Sequence, residues 1–456
     1  MRILIIGAGP TGLGAAYRLQ ELGHEDWHIY EATGHVGGLA SSPKSNGFVY
    51  DTGGHVMFSH YKYFDDLVDK MLGDQYTEIG RESWIRMQDR WVPYPFQNNL
   101  RFLNPESALE CIIGLAAERT NPQEAANFRD WTIAVFGEGI ARHFMFPYNW
   151  KVWAHPLEVM DKQWIAERVS IVDLETALRN ILTEAKDSNW GPNATFKFPL
   201  RGGTGGFYEP FVPYIEDHLS FNKRVVAIDN HAKIVRFADG SADHYDVLLN
   251  TIPLTELIPI LTDTTDQVRI AARSLSWSSG MFVGLGIARP CPSDKCWVYF
   301  PEDTTPFYRI TYLSRYSPYM APDENHFSII TETSSSIWKP ENRHTIVERT
   351  IDGLITTGIL EASDRELLVD KTLIETPYAY PTPTVHRDRA LGVLQPFLMD
   401  QEIRSRGRFG AWQYEIGNMD HSVMQGVECV NNLLLGEPEE TWIPPRILQK
   451  GRAGVS

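Results

Sequence analysis

Short apolar runs and helically spaced apolar positions alternate along both ends of this chain, and the helical period dominates between residues 105 and 186. Arg2-Ile3-Leu4-Ile5-Ile6 is a continuous apolar run that predicts a buried parallel strand. Leu13 to Leu19 reads as a helix and Trp27-His28-Ile29-Tyr30 as a second strand, followed by a strand at Phe48-Val49-Tyr50 and a helix over 64–75. Trp84 to Tyr94 reads as a hairpin with Asp89 in its turn. Helices are expected over 107–115, 128–136 and 173–186, the last with Leu174, Ala177, Leu178, Ile181 and Leu182 on one face. Strand signals return at Thr195–Pro199, a helix is expected to about His218, and Arg224–Ile228 with Lys233–Phe237 form a small antiparallel unit closed at Asp239-Gly240. Tyr245–Pro253 is a buried strand ending in a loop. Residues 279–335 hold four strand-forming runs that predict an antiparallel sheet. A helix near 342–357 and a glycine-rich end with a helix over 422–435 complete the pattern.

The first strand runs directly into Gly7-Ala8-Gly9-Pro10-Thr11-Gly12, a G-x-G-x-x-G that opens a helix. In such a turn Gly7 permits the sharp reversal, Gly9 lets a pyrophosphate approach the backbone, and Gly12 lets helix and strand pack closely. Glu31, at the end of the second strand, stands where an acceptor for ribose hydroxyls is expected. Strand, turn, helix, strand and acid in order favour dinucleotide binding over a generic Gly-rich turn. The stretch after Glu31, through Gly37-Gly38-Leu39, resembles FAD enzymes of the glutathione-reductase and amine-oxidase type. Gly53-Gly54-His55 allows close backbone approach to a flavin ring, the alternative being a simple turn.

With 456 residues the chain suffices for two or three domains, and a net charge of −16 argues against a general nucleic-acid binder. Four scattered cysteines without a C-x-x-C favour inert thiols over a metal site or redox dithiol. No stretch reaches the ~18 apolar residues of a membrane span. With the cofactor strand at residue 2, no signal peptide is expected, so a cytoplasmic protein is the default. Arg168 and Arg309 lie among apolar and aromatic neighbours rather than in charge runs. Either fork suits a diphosphate, the alternative being a structural salt bridge to a neighbouring carboxylate such as Glu167.

Several further motifs occur in one order: Val92-Pro93-Tyr94-Pro95-Phe96-Gln97-Asn98, Pro147–Ala154, Asn189–Phe196, Tyr299-Phe300-Pro301, Tyr380-Pro381-Thr382-Pro383 and Arg408-Phe409-Gly410. With Gly53–Val56, this set resembles the eukaryotic-type UDP-galactopyranose mutases from residue 3 to about residue 435. The resemblance implies a Rossmann-like α/β FAD-binding fold in three parts (1–90, 191–275 and 379–456), a helical substrate domain (91–190) and an antiparallel sheet domain (276–378). It implies that Gly7, Gly9, Thr11, Gly12, Glu31, Gly38, Leu39, Gly54, Val226, Arg408, Gly417, Asn418, Met419, Asp420 and Ser422 hold FAD. It places His55 in a mobile loop against the flavin, and Tyr94, Phe96, Gln97 and Asn149 on the uridine. Arg168, Arg309, Asn193, Tyr299, Tyr380 and Tyr414 would hold the diphosphate or position the sugar, with Trp153 in the sugar pocket.

In that family N5 of reduced FAD attacks the anomeric carbon of a UDP-sugar, and the sugar recloses between pyranose and furanose forms with no net redox. NADPH or NADH serves as reductant. Two alternatives stay open: an amine-oxidase-like oxidoreductase sharing the same N-terminal fingerprint, and a mutase for another nucleotide sugar. A third is a catalytically silent FAD-binding protein, which would have no need of paired arginines. The stretch between Tyr319 and Phe327 is shorter than in fungal members, where an insertion supports assembly. A monomer or small homo-oligomer is therefore expected rather than a fungal-style tetramer. Glu31 replaces an Asp found in a fungal member.

Overall fold

The apolar run Ile3–Ile6 is the middle strand of a five-stranded sheet in a computed structural model that describes residues 1–165, 169–186 and 194–446. The order is Ile403–Ser405, Val247–Asn250, Ile3–Ile6, Trp27–Tyr30, Leu219–Ser220, with every pair parallel. Both faces are covered, which is why the first strand is apolar throughout. Ile3 and Ile5 pack with Leu13, Tyr17 and Val423, whereas Leu4 and Ile6 pack with Leu248 and Leu391 on the other side. The helix Pro10–Glu21 lies against the C-terminal helix Met419–Leu435 almost backbone to backbone: a Cβ on Gly426 would stand 2.1 Å from the Thr11 carbonyl oxygen. That contact carries the start of the last helix to the carboxyl end of the sheet, where ligands of such folds bind.

The second sheet has seven strands, ordered Leu368–Thr382, Ser276–Ile287, Phe327–Ser335, Arg309–Tyr312, Trp297–Tyr299, Ser83–Met87, Arg90–Pro93. All its pairs are antiparallel except Trp297–Tyr299 with Ser83–Met87. The predicted hairpin is present, with Gln88 and Asp89 both at positive φ in its turn. It joins this sheet, which thus reaches beyond residues 276–378 at both ends. The 15-residue strand Leu368–Thr382 was not anticipated. It is an edge strand carrying Lys371, Glu375, Pro377 and Pro381, so its alternation is weak. Helix Arg387–Asp400 and strand Tyr76–Gly80, the partner of Thr195–Pro199, were also missed. The expected helix to His218 is a series of short helical turns.

Residues 105–153 are mostly helical, as the period predicts: Pro105–Ala116, Phe128–Ile140, a π turn at Ala141–Met145 and Phe146–Trp153. Leu174–Leu182 adds a fifth segment. Asn104, Asn127 and Asp173 cap three of these helices by accepting a backbone N–H three residues on. No described helix is long and apolar enough to cross a membrane.

Candidate active site

The N-terminal turn has the form its glycines predict. Gly7 sits at φ +96°, and a Cβ on Gly12 would stand 1.9 Å from the Gly7 carbonyl oxygen. Around Gly9 the nearest protein atom to such a Cβ is the Gly38 Cα, 3.9 Å away. An open cradle therefore borders a helix whose first turn has no acidic residue and no side-chain cap. Glu31 Oε2 accepts the Ala8 N–H at 2.8 Å, and Oε1 accepts both the N–H and hydroxyl of Thr33 at 2.8 Å. The acid is thus fixed against the glycine turn. Thr11 is buried, with its hydroxyl against Gly407, and Gly407 N–H donates to Gln425 Oε1 at 2.8 Å. Arg408 Nε donates to the Gly417 carbonyl at 2.9 Å, setting the loop that starts the last helix. Ser422 is buried inside that helix.

A cleft of about 560 Å³ opens between the start of the last helix and the seven-stranded sheet. Leu39, Gly54, His55 and Arg408 line it, with Asn418, Met419 and Asp420 at the start of the last helix. On the sheet side stand Tyr94, Tyr299, Arg309, Tyr380 and Tyr414. Twelve of the sequence-predicted residues therefore converge on one cavity. Phe96, Gln97, Asn149 and Trp153 are buried behind its wall instead of lining it. Phe96 stacks on Phe144, which stacks on Tyr148, and Tyr148 meets Tyr299 edge-on at 5.3 Å. Gln97 donates to the Ser170 carbonyl, and Asn149 Nδ2 donates to the Met145 carbonyl at 2.8 Å. Trp153 packs edge-on against Tyr414 at 4.8 Å and tilts against Tyr380 at 5.9 Å. Val226 is 45% exposed at a bulge in the three-stranded sheet and does not line the cleft. Arg168 and Asn193 lie outside the described residues.

Glu332 is the residue that sequence reading missed. Its carboxylate, 1% exposed, receives the Arg309 fork, with Nε to Oε1 at 2.5 Å and Nη2 to Oε2 at 2.8 Å. It also accepts the Gly54 N–H at 3.0 Å and the Tyr308 hydroxyl at 2.9 Å. Burial pushes this carboxyl up, but the Arg309 charge and these donors outweigh it and hold it below its ordinary value. One carboxylate thus fixes both the sheet arginine and the glycine turn beside His55. The available signal was a lone acid inside the strand Phe327–Ser335. The salt-bridge alternative for Arg309 holds in part, with a partner from another strand rather than a neighbour in sequence. Tyr308 reaches Tyr380 hydroxyl to hydroxyl at 3.3 Å. Burial pushes the phenols of Tyr94, Tyr299 and Tyr380 upward, so all three are neutral donors at neutral pH.

His55 lies two residues beyond Gly53, whose φ is +99°. Burial, then the charges of Arg408 and Arg309, push its imidazole down to about 4, Glu332 opposing. Its Nδ1 is buried and has no partner among the described residues. An orphaned ring nitrogen in a cleft wall, an open glycine cradle and an uncapped helix start are what a bound dinucleotide with a polar ring would complete. In the ligand-free protein His55 is expected to titrate near 4 rather than near 6.5, checked by NMR of the ring. The unfolded chain binds the proton more readily between those values, so this group removes stability as pH falls through that window. Ring titration near 6.5 would contradict the assignment. His60 and His421 each place Nδ1 on Asp420, at 2.8 and 3.0 Å, which gathers three potential metal-ligand side chains in one cluster.

A family profile described as an NAD(P)-binding Rossmann-like domain matches residues 5–71. A 4,4'-diapophytoene desaturase of Staphylococcus aureus is 40% identical over 78 residues, 17% of this chain and 15% of the desaturase. The chain therefore spans a small part of that relative. A crystal structure of reduced UDP-galactopyranose mutase superposes with a TM-score of 0.94 at 45% identity, covering 98% of each chain. A putrescine oxidase variant superposes with a TM-score of 0.67 at 14% identity over 95% of this chain and 99% of the oxidase, a likeness of fold alone.

Proposed function

The chain belongs to the UDP-galactopyranose mutase family, and from that premise we propose that it interconverts UDP-galactopyranose and UDP-galactofuranose with reduced FAD in the cleft. The observation that carries the reading is the convergence of Arg309, Tyr299, Tyr380 and Tyr414 on the cavity that His55, Arg408 and the start of the last helix also line. FAD, bound in its reduced form, supplies a nucleophilic nitrogen for the anomeric carbon, so the sugar is isomerised without net redox change. The Gly7–Gly12 turn and the start of helix Pro10–Glu21 would hold its pyrophosphate, and the start of helix Met419–Leu435 would offer backbone N–H groups to its ring.

Arg309 neutralises charge that builds on the diphosphate as the anomeric C–O bond breaks, and retains UDP for recapture. Glu332 holds that arginine at one angle. The neutral phenols donate to phosphate oxygens without adding charge. His55, neutral at pH 7, offers a ring nitrogen without repelling Arg309 or Arg408. Arg168 and Asn193 share the diphosphate and sugar side in this reading. Residues 91–190 form the substrate domain, with Phe96, Gln97 and Asn149 supporting the uridine end and Trp153 the sugar end. NADPH or NADH reduces the flavin, the compartment is the cytoplasm, and the chain acts as a monomer or small homo-oligomer.

Anaerobic incubation of the dithionite-reduced enzyme with UDP-galactofuranose, followed by chromatography, is expected to yield UDP-galactopyranose. FAD-loaded enzyme that converts none of it rejects the reading, and substituting other nucleotide sugars separates a wrong sugar from a wrong reaction. Anaerobic bleaching of the flavin by NADPH against NADH ranks the reductants.

A further inference from the structure

Lys151 lies in helix Phe146–Trp153, between Asn149 and Trp153, and only 2% of it is exposed. Its Nζ donates to the Glu302 carbonyl at 2.8 Å and to the Thr305 hydroxyl at 2.9 Å. The Thr305 hydroxyl in turn donates to the Phe307 carbonyl at 2.9 Å. These acceptors belong to the loop that joins strand Trp297–Tyr299 to strand Arg309–Tyr312, closed by Phe300 N–H on the Tyr308 carbonyl at 2.9 Å. Tyr299 and Arg309 are cross-strand partners at the mouth of that loop, and both line the cleft.

We propose that Lys151 is a positioning residue: one buried ammonium fixes the helix bearing Tyr148, Asn149 and Trp153 to the loop that sets Tyr299 opposite Arg309. The role rests on the mutase reading, since it concerns how the uridine and diphosphate ends of one ligand are kept in register. A charge in this place is costly. Burial, then the Lys339 charge, pull the amine down to about 7, against the carboxylates of Asp303, Glu302 and Glu341. A methionine would fill a similar volume without the charge, but it would leave the Glu302 carbonyl and the Thr305 hydroxyl short of a donor. What the methionine lacks is direction. The ammonium binds two acceptors at fixed angles, so the helix cannot slide along the loop without breaking both bonds.

The test measures UDP affinity of reduced, FAD-loaded enzyme by calorimetry beside thermal stability and FAD content. Lys151→Met is expected to melt a few degrees below wild type, keep its FAD and, well below its melting transition, bind UDP about tenfold more weakly, the scale of a modest loss of positioning. Thr305→Val removes one acceptor and keeps the lysine. It should weaken UDP by a smaller factor, and the double variant should be no worse than Lys151→Met alone. UDP affinity within twofold of wild type in both single variants overturns the role, and so does a loss of UDP affinity accompanied by an equal loss of FAD. Should Lys151→Met fail to fold, Thr305→Val decides alone by the same criterion. Wild-type enzyme that does not bind UDP would overturn the mutase reading itself, which separates the two failures.

Discussion

Replacing Arg309 by alanine is expected to lower kcat/KM for UDP-galactofuranose by about 10³-fold, the scale of one lost transition-state donor. That is about 4 kcal/mol of barrier. FAD content should change far less than turnover, because none of the described contacts of the Gly7–Gly12 turn involves Arg309. Stability should fall as well. Glu332 would keep a carboxylate that is 1% exposed with its countercharge gone, and breaking such a buried pair costs about 3–5 kcal/mol. The two effects can be separated. Glu332→Gln on the Arg309→Ala background removes the stranded charge and leaves an amide whose oxygen still accepts the Gly54 N–H, while its NH2 faces the Tyr308 hydroxyl, which turns to accept it. The double variant is expected to regain most of the melting temperature and none of the activity. Recovery of turnover in the double variant would show that Arg309 acts only by neutralising Glu332. Equal loss of FAD and turnover in Arg309→Ala would remove its diphosphate role.

The second large effect is a contrast between two glycines three residues apart. Gly9 has φ −76° and ψ −176°, a conformation open to any L-residue, and the nearest protein atom to an added Cβ is 3.9 Å away. Gly9→Leu should therefore fold. Its side chain would occupy the cradle beside the helix start, and FAD affinity is expected to drop about 100-fold, as forced overlap of about 3 kcal/mol implies. Gly12→Ala should not fold normally, because its Cβ meets the Gly7 carbonyl oxygen at 1.9 Å. Circular dichroism, melting curves and flavin content of both purified variants check this. A folded Gly9→Leu protein with full FAD content would mean that the pyrophosphate lies elsewhere.

Much of the fold was legible because its signals are local. The apolar run Ile3–Ile6, the glycine spacing and the acid at Glu31 lie within thirty residues, and each constrains backbone geometry by itself. The helical period of residues 105–153 and the Gln88-Asp89 turn were readable for the same reason. The edge strand Leu368–Thr382 was not, since half-exposed charged positions blur a period of two. The cleft residues were reached through ordered motifs and a family resemblance. No local property of Tyr299 or Tyr414 marks either as a site residue rather than a core one.

By itself, the sequence determined the nucleotide-binding turn, the parallel sheet around it, the helical block and the sign of the overall charge, because these follow from neighbouring residues. Only the tertiary structure decided that Arg309 answers to Glu332, that Gly54 shares that carboxylate, and that Lys151 reaches the loop between Tyr299 and Arg309. The physical reason is register. Arg309 faces Glu332 because two strands pair at that one alignment, and a shift of one residue would send the arginine to the opposite face of the sheet.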